Sequence, residues 1–223
     1  MYFDRIAIIA NPASTRNGYH KARALEKKLH RVAQSTPINV ELIPTQYARH
    51  AQDLVYSDCL GFKRPLVISV SGDGGFHEVV EGVMRLKNEA KIDATVSLLR
   101  AGNANDHFHA VVNLSADKLI ECVLRGLRSR IDVMEFRISS LSGERTIYTP
   151  SYAGFGLTAE AADQMHLRHY GHVAQYLLLP KHTFARHRPI RIMTGGRETL
   201  LSSLSFHNIN RMAKHLKFVQ VEP

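Results

Sequence analysis

The chain has 223 residues, of which 44% are hydrophobic and 22% charged, with a formal net charge of +9. At that length most apolar surface can be buried, so no metal or disulfide is required to hold a core. No stretch approaches the run of about 18 apolar residues that crosses a bilayer. The positive balance favours anionic partners, namely nucleotides, anionic membrane surfaces or nucleic acid.

The first half alternates strand and helix patterns. Residues 5–10 are a short β-rich run that Asn11-Pro12 stops, too short for a secretory signal. Residues 19–33 place Ala22, Leu25, Leu29 and Val32 at helical spacing, residues 38–43 alternate as a strand, and residues 47–56 read as helix through Ala48, Ala51, Leu54 and Val55. Residues 65–70 form a continuous apolar strand, bounded by the glycines at 72–75. A helix over 76–86 follows, with Phe76, Val79, Val80, Val83 and Met84 inward, and then a strand over 95–99. Ser115 is a suitable cap for a helix with Leu119, Ile120, Val123 and Leu127 on one stripe. This rhythm predicts a mainly parallel α/β domain over residues 1–131.

After Ile131 the rhythm changes. Strands are predicted over 131–139 and 145–155 around Ser142-Gly143, and over 189–194 and 198–209 around Gly195-Gly196, with a helical stretch between the pairs. The expected organisation is therefore an α/β domain followed by a β-rich second domain over 132–223. Cys59 and Cys122 have neither zinc nor redox spacing and read as reduced, buried thiols of a cytoplasmic protein.

The most informative segment is Val70-Ser71-Gly72-Asp73-Gly74-Gly75, set between a buried strand and a helix. Glycines let backbone N–H groups approach a ligand closely, and the helix N-terminus favours an anion, so the turn suits a phosphate. Asp73 would repel phosphate unless it holds a cation or accepts a proton during phosphoryl transfer. A tight strand-to-helix turn with no ligand accounts for the same residues equally well. No Gly-x-x-x-x-Gly-Lys-Ser/Thr occurs, which excludes a P-loop. Gly154-Phe155-Gly156-Leu157-Thr158-Ala159 fits a dinucleotide fingerprint formally, but the acidic residue expected about 20 positions on is missing.

Four loops that follow strands carry unusual polar residues: Asn11-Pro12, Thr45, the turn at 72–75, and Gly102-Asn103-Ala104-Asn105-Asp106. In a parallel sheet these loops share one edge. Taken in order they resemble the catalytic domain shared by diacylglycerol, sphingosine and ceramide kinases and bacterial lipid kinases. Residues 70–83 are similar to the sphingosine kinase form of the Gly-Asp-Gly turn. Residues 45–51 resemble the family's Thr-x-x-x-x-His-Ala segment, and residues 154–160 resemble the stretch that opens its second domain.

The resemblance implies an ATP-dependent, Mg²⁺-requiring lipid kinase. Asn11, Thr45, Gly72, Gly74, Gly75, Gly102, Asn103 and Asn105 would line the nucleotide site. Asp73 would act as general base or Mg²⁺ ligand. Glu78 would support the loop, although simple placement against the helix dipole explains it as well. Glu160 falls where some members hold the lipid headgroup, with a solvated helix carboxylate as the plainer reading. Arg100 departs from the family's usual Pro, and Asn103 from Thr or Ser. The family's acidic Asp-Gly segment would follow residues 212–218, so the chain is expected to be short of its C-terminal part, with the second domain incomplete.

Residues 164–197 contain no acidic residue but carry Arg168, Lys181, Arg186, Arg188, Arg191 and Arg197 among Tyr176, Leu177, Leu178, Leu179 and Phe184. Each cation near an anionic bilayer contributes roughly 1 kcal/mol. A solvated face over ordinary core leucines is the plain alternative; the lipid substrate that the resemblance implies favours peripheral membrane docking, and nucleic-acid binding has no motif to accompany the charge. Among the 13 histidines, His166, His169 and His172 are evenly spaced, but no Cys or His-Glu-x-x-His partner supports zinc. Two alternatives remain: a kinase of a soluble substrate, like NAD kinases, and a truncated nucleotide- or membrane-binding module without turnover. Oligomeric state is not encoded in any motif.

Overall fold

The computed structural model describes residues 2–34, 36–140, 143–157, 159, 189–212 and 216–217. Its first element, β1 (Arg5–Ala10), is buried at every position. It pairs in parallel with β2 (Asn39–Pro44) on one side and β3 (Pro65–Ser71) on the other, and β3 pairs with β4 (Thr95–Arg100), giving the order β2-β1-β3-β4. Burial on both faces explains why β1 and β3 read as unbroken apolar runs.

Side chains along a strand point alternately to opposite faces, and the two cores follow that alternation. Ile6, Ile8, Ala10, Leu66, Ile68 and Val70 meet Ala22, Leu25 and Leu29 of α1 (Gly18–Ala33) and Leu119, Ile120 and Val123 of α4 (Ala116–Arg125). Ala7, Ile9 and Val67 meet Ala51, Val55 and Cys59 of α2 (His50–Cys59) and Val79 and Val83 of α3 (Asp73–Arg85). The result is a three-layer helix–sheet–helix sandwich. As predicted, Ser115 caps α4, accepting a hydrogen bond from the Lys118 N–H at 3.2 Å. Gly126 ends that helix in the left-handed conformation, which leaves Leu127 outside the apolar stripe and exposed.

Several boundaries differ from the sequence reading. Helix α2 begins at His50, because Arg49 adopts a left-handed conformation (φ 67°), and Ala48 lies exposed before it. Helix α3 begins at Asp73 rather than 76, so Asp73 is the acidic residue of its first turn and Glu78 lies a turn further in. The α3 helix runs into a π turn over Leu86–Ala90. Cys122 is half-buried rather than buried, since it flanks the apolar stripe of α4.

The β-rich part is also divided more finely. The run read as one strand over 145–155 is two, β6 (Gly143–Thr149) and β7 (Tyr152–Gly156), separated at Pro150, which has no N–H to give a ladder. Strand β6 pairs antiparallel with β5 (Met134–Ser140). The run over 198–209 divides at Ser202 into β9 (Arg197–Leu201), paired with β8 (Ile190–Thr194), and β10 (Ser203–His207), paired with β7. A last pair joins β11 (Arg211–Met212) to β12 (Leu216–Lys217). The chain forms two compact units, one comprising Met1–Ser151 with Asn208–Pro223 and the other Tyr152–His207. The helical stretch, Glu160, the evenly spaced histidines and most of the basic run lie outside the described residues.

At the N-terminal edge of the sheet Arg5 is 2% exposed, its guanidinium bonded to Asp58, to Glu41 at 2.8 Å and to Asn39 at 2.5 Å. A buried guanidinium is tolerated only with this degree of pairing.

Candidate active site

In the order β2-β1-β3-β4 the chain leaves β1 in one direction and β3 in the other, so a crevice opens where their carboxyl ends diverge. All four predicted loops lie at that edge. Thr45, at the end of β2, donates its N–H to the Ala10 carbonyl at 2.8 Å, and Asn11 donates its N–H to Val70 at 3.4 Å. The Asn11 side-chain oxygen accepts the Ala13 N–H at 2.8 Å, closing the turn after β1.

The two glycine loops touch. A Cβ on Gly102 would lie 2.4 Å from the Gly72 Cα, and a Cβ on Gly72 would lie 3.0 Å from the Gly102 Cα. Only glycine fits this backbone crossing. Gly75 is confined differently, since a Cβ there would meet the Ser71 side chain at 2.6 Å, whereas Gly74 faces open space. Gly74 is exposed at the start of α3, in the first turn, where backbone N–H groups have no intrahelical acceptor.

Asn105 stands at φ 52° and is 1% exposed, with both ends of its amide committed to Gly102. Its oxygen accepts the Gly102 N–H at 2.9 Å and its nitrogen donates to the Gly102 carbonyl at 2.6 Å. Asn105 thus shapes the loop from within, while Asn103 is exposed and accepts the Thr15 hydroxyl at 3.1 Å, joining the loops after β1 and β4. Asp73 is half-exposed, and one carboxylate oxygen accepts the His107 N–H at 3.1 Å. Glu78 is half-buried on α3.

The sequence reading missed a cationic group beside these loops. Arg16 donates its backbone N–H to the Ala101 carbonyl at 3.1 Å, and the Lys21 ammonium donates to the Arg100 carbonyl at 3.1 Å. Partial burial, together with Arg100 and Arg16, lowers the Lys21 pKa. Among the described residues none of the three has a carboxylate within ion-pair distance, and Arg100 instead lies over the Phe108 ring at 5.4 Å. Like charges left uncompensated at a ligand-binding edge create a potential well for an anion. The signal was present as basic residues on the loop and first turn after Asn11-Pro12, but only the fold brings Arg100 to them.

Among the described residues no cluster of three or more His, Cys, Asp and Glu side chains is placed to hold a metal by protein ligands alone. Mg²⁺ is commonly held by one or two carboxylates together with substrate phosphates, and Asp73 is the carboxylate of the glycine turn that could hold it.

Comparison with known proteins agrees with this geometry. The profile of the diacylglycerol kinase catalytic domain matches residues 5–136. Sphingosine kinase 1 of Mus musculus is 29% identical over 166 residues, covering 70% of this chain and 42% of the relative. The Homo sapiens protein of the same name is 30% identical over 148 residues, covering 61% of this chain and 38% of the relative. The chain therefore spans about two fifths of the length of these curated relatives. The fold matches a diacylglycerol kinase structure from Bacillus anthracis str. Sterne at TM-score 0.60 and 16% identity, over 97% of this chain and 68% of that one. From the sheet edge, the glycine crossing and the matched profile together, the chain belongs to the diacylglycerol kinase catalytic-domain family.

Proposed function

We propose that the protein is an ATP-dependent lipid kinase that transfers the γ-phosphate of ATP to a lipid hydroxyl. The observation that carries this reading is the edge at which Asp73 and the Gly72–Gly102 crossing lie beside a carboxylate-free group of Arg16, Lys21 and Arg100. A polyphosphate would meet the first-turn backbone N–H groups of α3 and the three cations, and Asp73 would activate the acceptor.

Residues 1–131 are assigned to the nucleotide and the β-rich remainder, 132–223, to the acceptor. Asn11, Thr45, Gly72, Gly74, Gly75, Gly102 and Asn103 line the nucleotide side, and Asn105 acts by holding the Gly102 backbone in place. Glu78 supports the loop from α3, and Glu160 is assigned to the lipid headgroup. Asp73 accepts the proton of the lipid hydroxyl as its oxygen attacks the γ-phosphorus. The bond to the β–γ bridging oxygen then breaks, leaving ADP and a lipid phosphate. In the alternative role Asp73 would instead hold Mg²⁺ together with the phosphates, and the ion would supply charge neutralisation on the transferring group.

Access to the acceptor requires a membrane surface. Among the described residues no helix is long and apolar enough to cross a membrane. The acid-free run 164–197 is assigned to peripheral docking on anionic lipid. The test is transfer of label from γ-labelled ATP with Mg²⁺ to vesicles containing diacylglycerol or sphingosine, with NAD as the soluble alternative. Labelled lipid identifies the acceptor class. Labelled NAD phosphate would replace this reading with that of a soluble-substrate kinase, and ATP binding without any labelled product would replace it with that of a binding module.

A further inference from the structure

We infer that His107 is a positioning residue that aims the Asp73 carboxylate, an inference that rests on the proposed role of Asp73. His107 follows the loop at 102–106 and is 1% exposed. Three contacts fix it. Its backbone N–H donates to one Asp73 carboxylate oxygen at 3.1 Å. Its ring packs on Phe76, in the same helix as Asp73, at 4.6 Å between centroids. Its Nδ1 is hydrogen-bonded to the Ser151 hydroxyl at 3.0 Å.

The side chain therefore ties the loop to two independent parts of the unit, and the backbone N–H delivers that rigidity to the carboxylate. One oxygen of Asp73 is held, which restricts the orientations open to the other. Burial pushes the imidazole pKa down to about 4, against the opposing pull of Asp73. Ser151 is itself anchored, because its carbonyl accepts the Asn208 N–H at 2.7 Å, while the Asn208 amide donates to Pro150 and Asp132 carbonyls at 3.1 and 2.6 Å.

A residue that aims a catalytic group changes turnover rather than substrate affinity, and misplacement by about 1 Å can cost on the order of 100-fold. His107→Phe keeps the ring on Phe76 but removes the bond to Ser151, and Ser151→Ala removes the same bond from the other side. Each is expected to lower kcat by about tenfold or more with KM for ATP within about twofold, and the double variant should be no slower than either single one. His107→Asn, which returns a hydrogen-bonding group near the Nδ1 position, should recover most of the rate. Additive losses in the double variant, or losses in KM alone, would overturn the inference and leave His107 as ordinary packing.

A readout that does not depend on turnover separates this from failure of the kinase reading. Hydrogen exchange at the His107 amide should be slow in the parent protein and faster in Asp73→Ala, His107→Phe and Ser151→Ala. Unchanged exchange in Ser151→Ala would overturn the linkage whatever the activity. Altered exchange with no phosphate transfer by any form would leave the linkage standing and remove the kinase reading.

Discussion

Acidification should unfold this protein partly through one imidazole. His107 is buried, and its pKa falls from the ordinary 6.5 to about 4. In the unfolded chain the ring takes up a proton below about pH 6.5, whereas in the folded protein it resists until about pH 4. The unfolded state therefore binds more protons in that window, and stability rises with pH across it. The preference for the neutral ring amounts to about 2 kcal/mol at pH 5 and about 3 kcal/mol at pH 4, while nothing is lost above pH 7. The assay is urea unfolding of the parent protein and of His107→Phe at pH 7.5, 6 and 5. The parent should lose about 2 kcal/mol more than the variant between pH 7.5 and pH 5. Parallel curves would show that the ring is hydrated or already charged in the fold, and would refute the assignment of His107 as a neutral core group.

Other outcomes follow from the packing. Gly102→Ala sets a Cβ 2.4 Å from the Gly72 Cα, so the glycine loops must part; ATP affinity measured by calorimetry should fall at least tenfold, whereas Gly74→Ala should leave it within about threefold. Asp58→Ala removes one carboxylate from the guanidinium of Arg5 at 2% exposure but leaves Glu41 and Asn39 bonded to it, so urea unfolding should show a loss of about 1–3 kcal/mol. Cys59 is buried, and burial pushes its thiol up to about 12, so a thiol reagent should modify Cys122 in the native protein and Cys59 only on unfolding.

The parallel sheet was legible because its central strands β1 and β3 are short, apolar on both faces and followed by Asn-Pro and Gly-Asp-Gly; both lie within one residue of their predicted limits. The second half was less legible. Antiparallel strands here are half-exposed, so apolar periodicity is weak, and a single Pro150 or Ser202 that ends one pairing and starts another leaves little trace in the pattern. At the site, residue types that carry chemistry could be found by their loops, but contacts between loops could not. Gly72 and Gly102 each looked like a ligand-approach glycine, yet they also meet one another. Asn105 looked like a ligand contact and is instead folded onto Gly102. Arg100 stood out only as a departure from Pro until the fold set it beside Lys21.

Phosphate transfer as proposed turns on Asp73. The most direct measurement is the rate of phosphate transfer from γ-labelled ATP to lipid vesicles by the parent protein and by Asp73→Asn, with ATP binding measured on both. The amide keeps an acceptor for the His107 N–H but cannot take up the hydroxyl proton. The predicted result is a fall in rate on the order of 10²–10⁴-fold with ATP still bound. An Asp73→Asn protein that transfers phosphate as fast as the parent would contradict it.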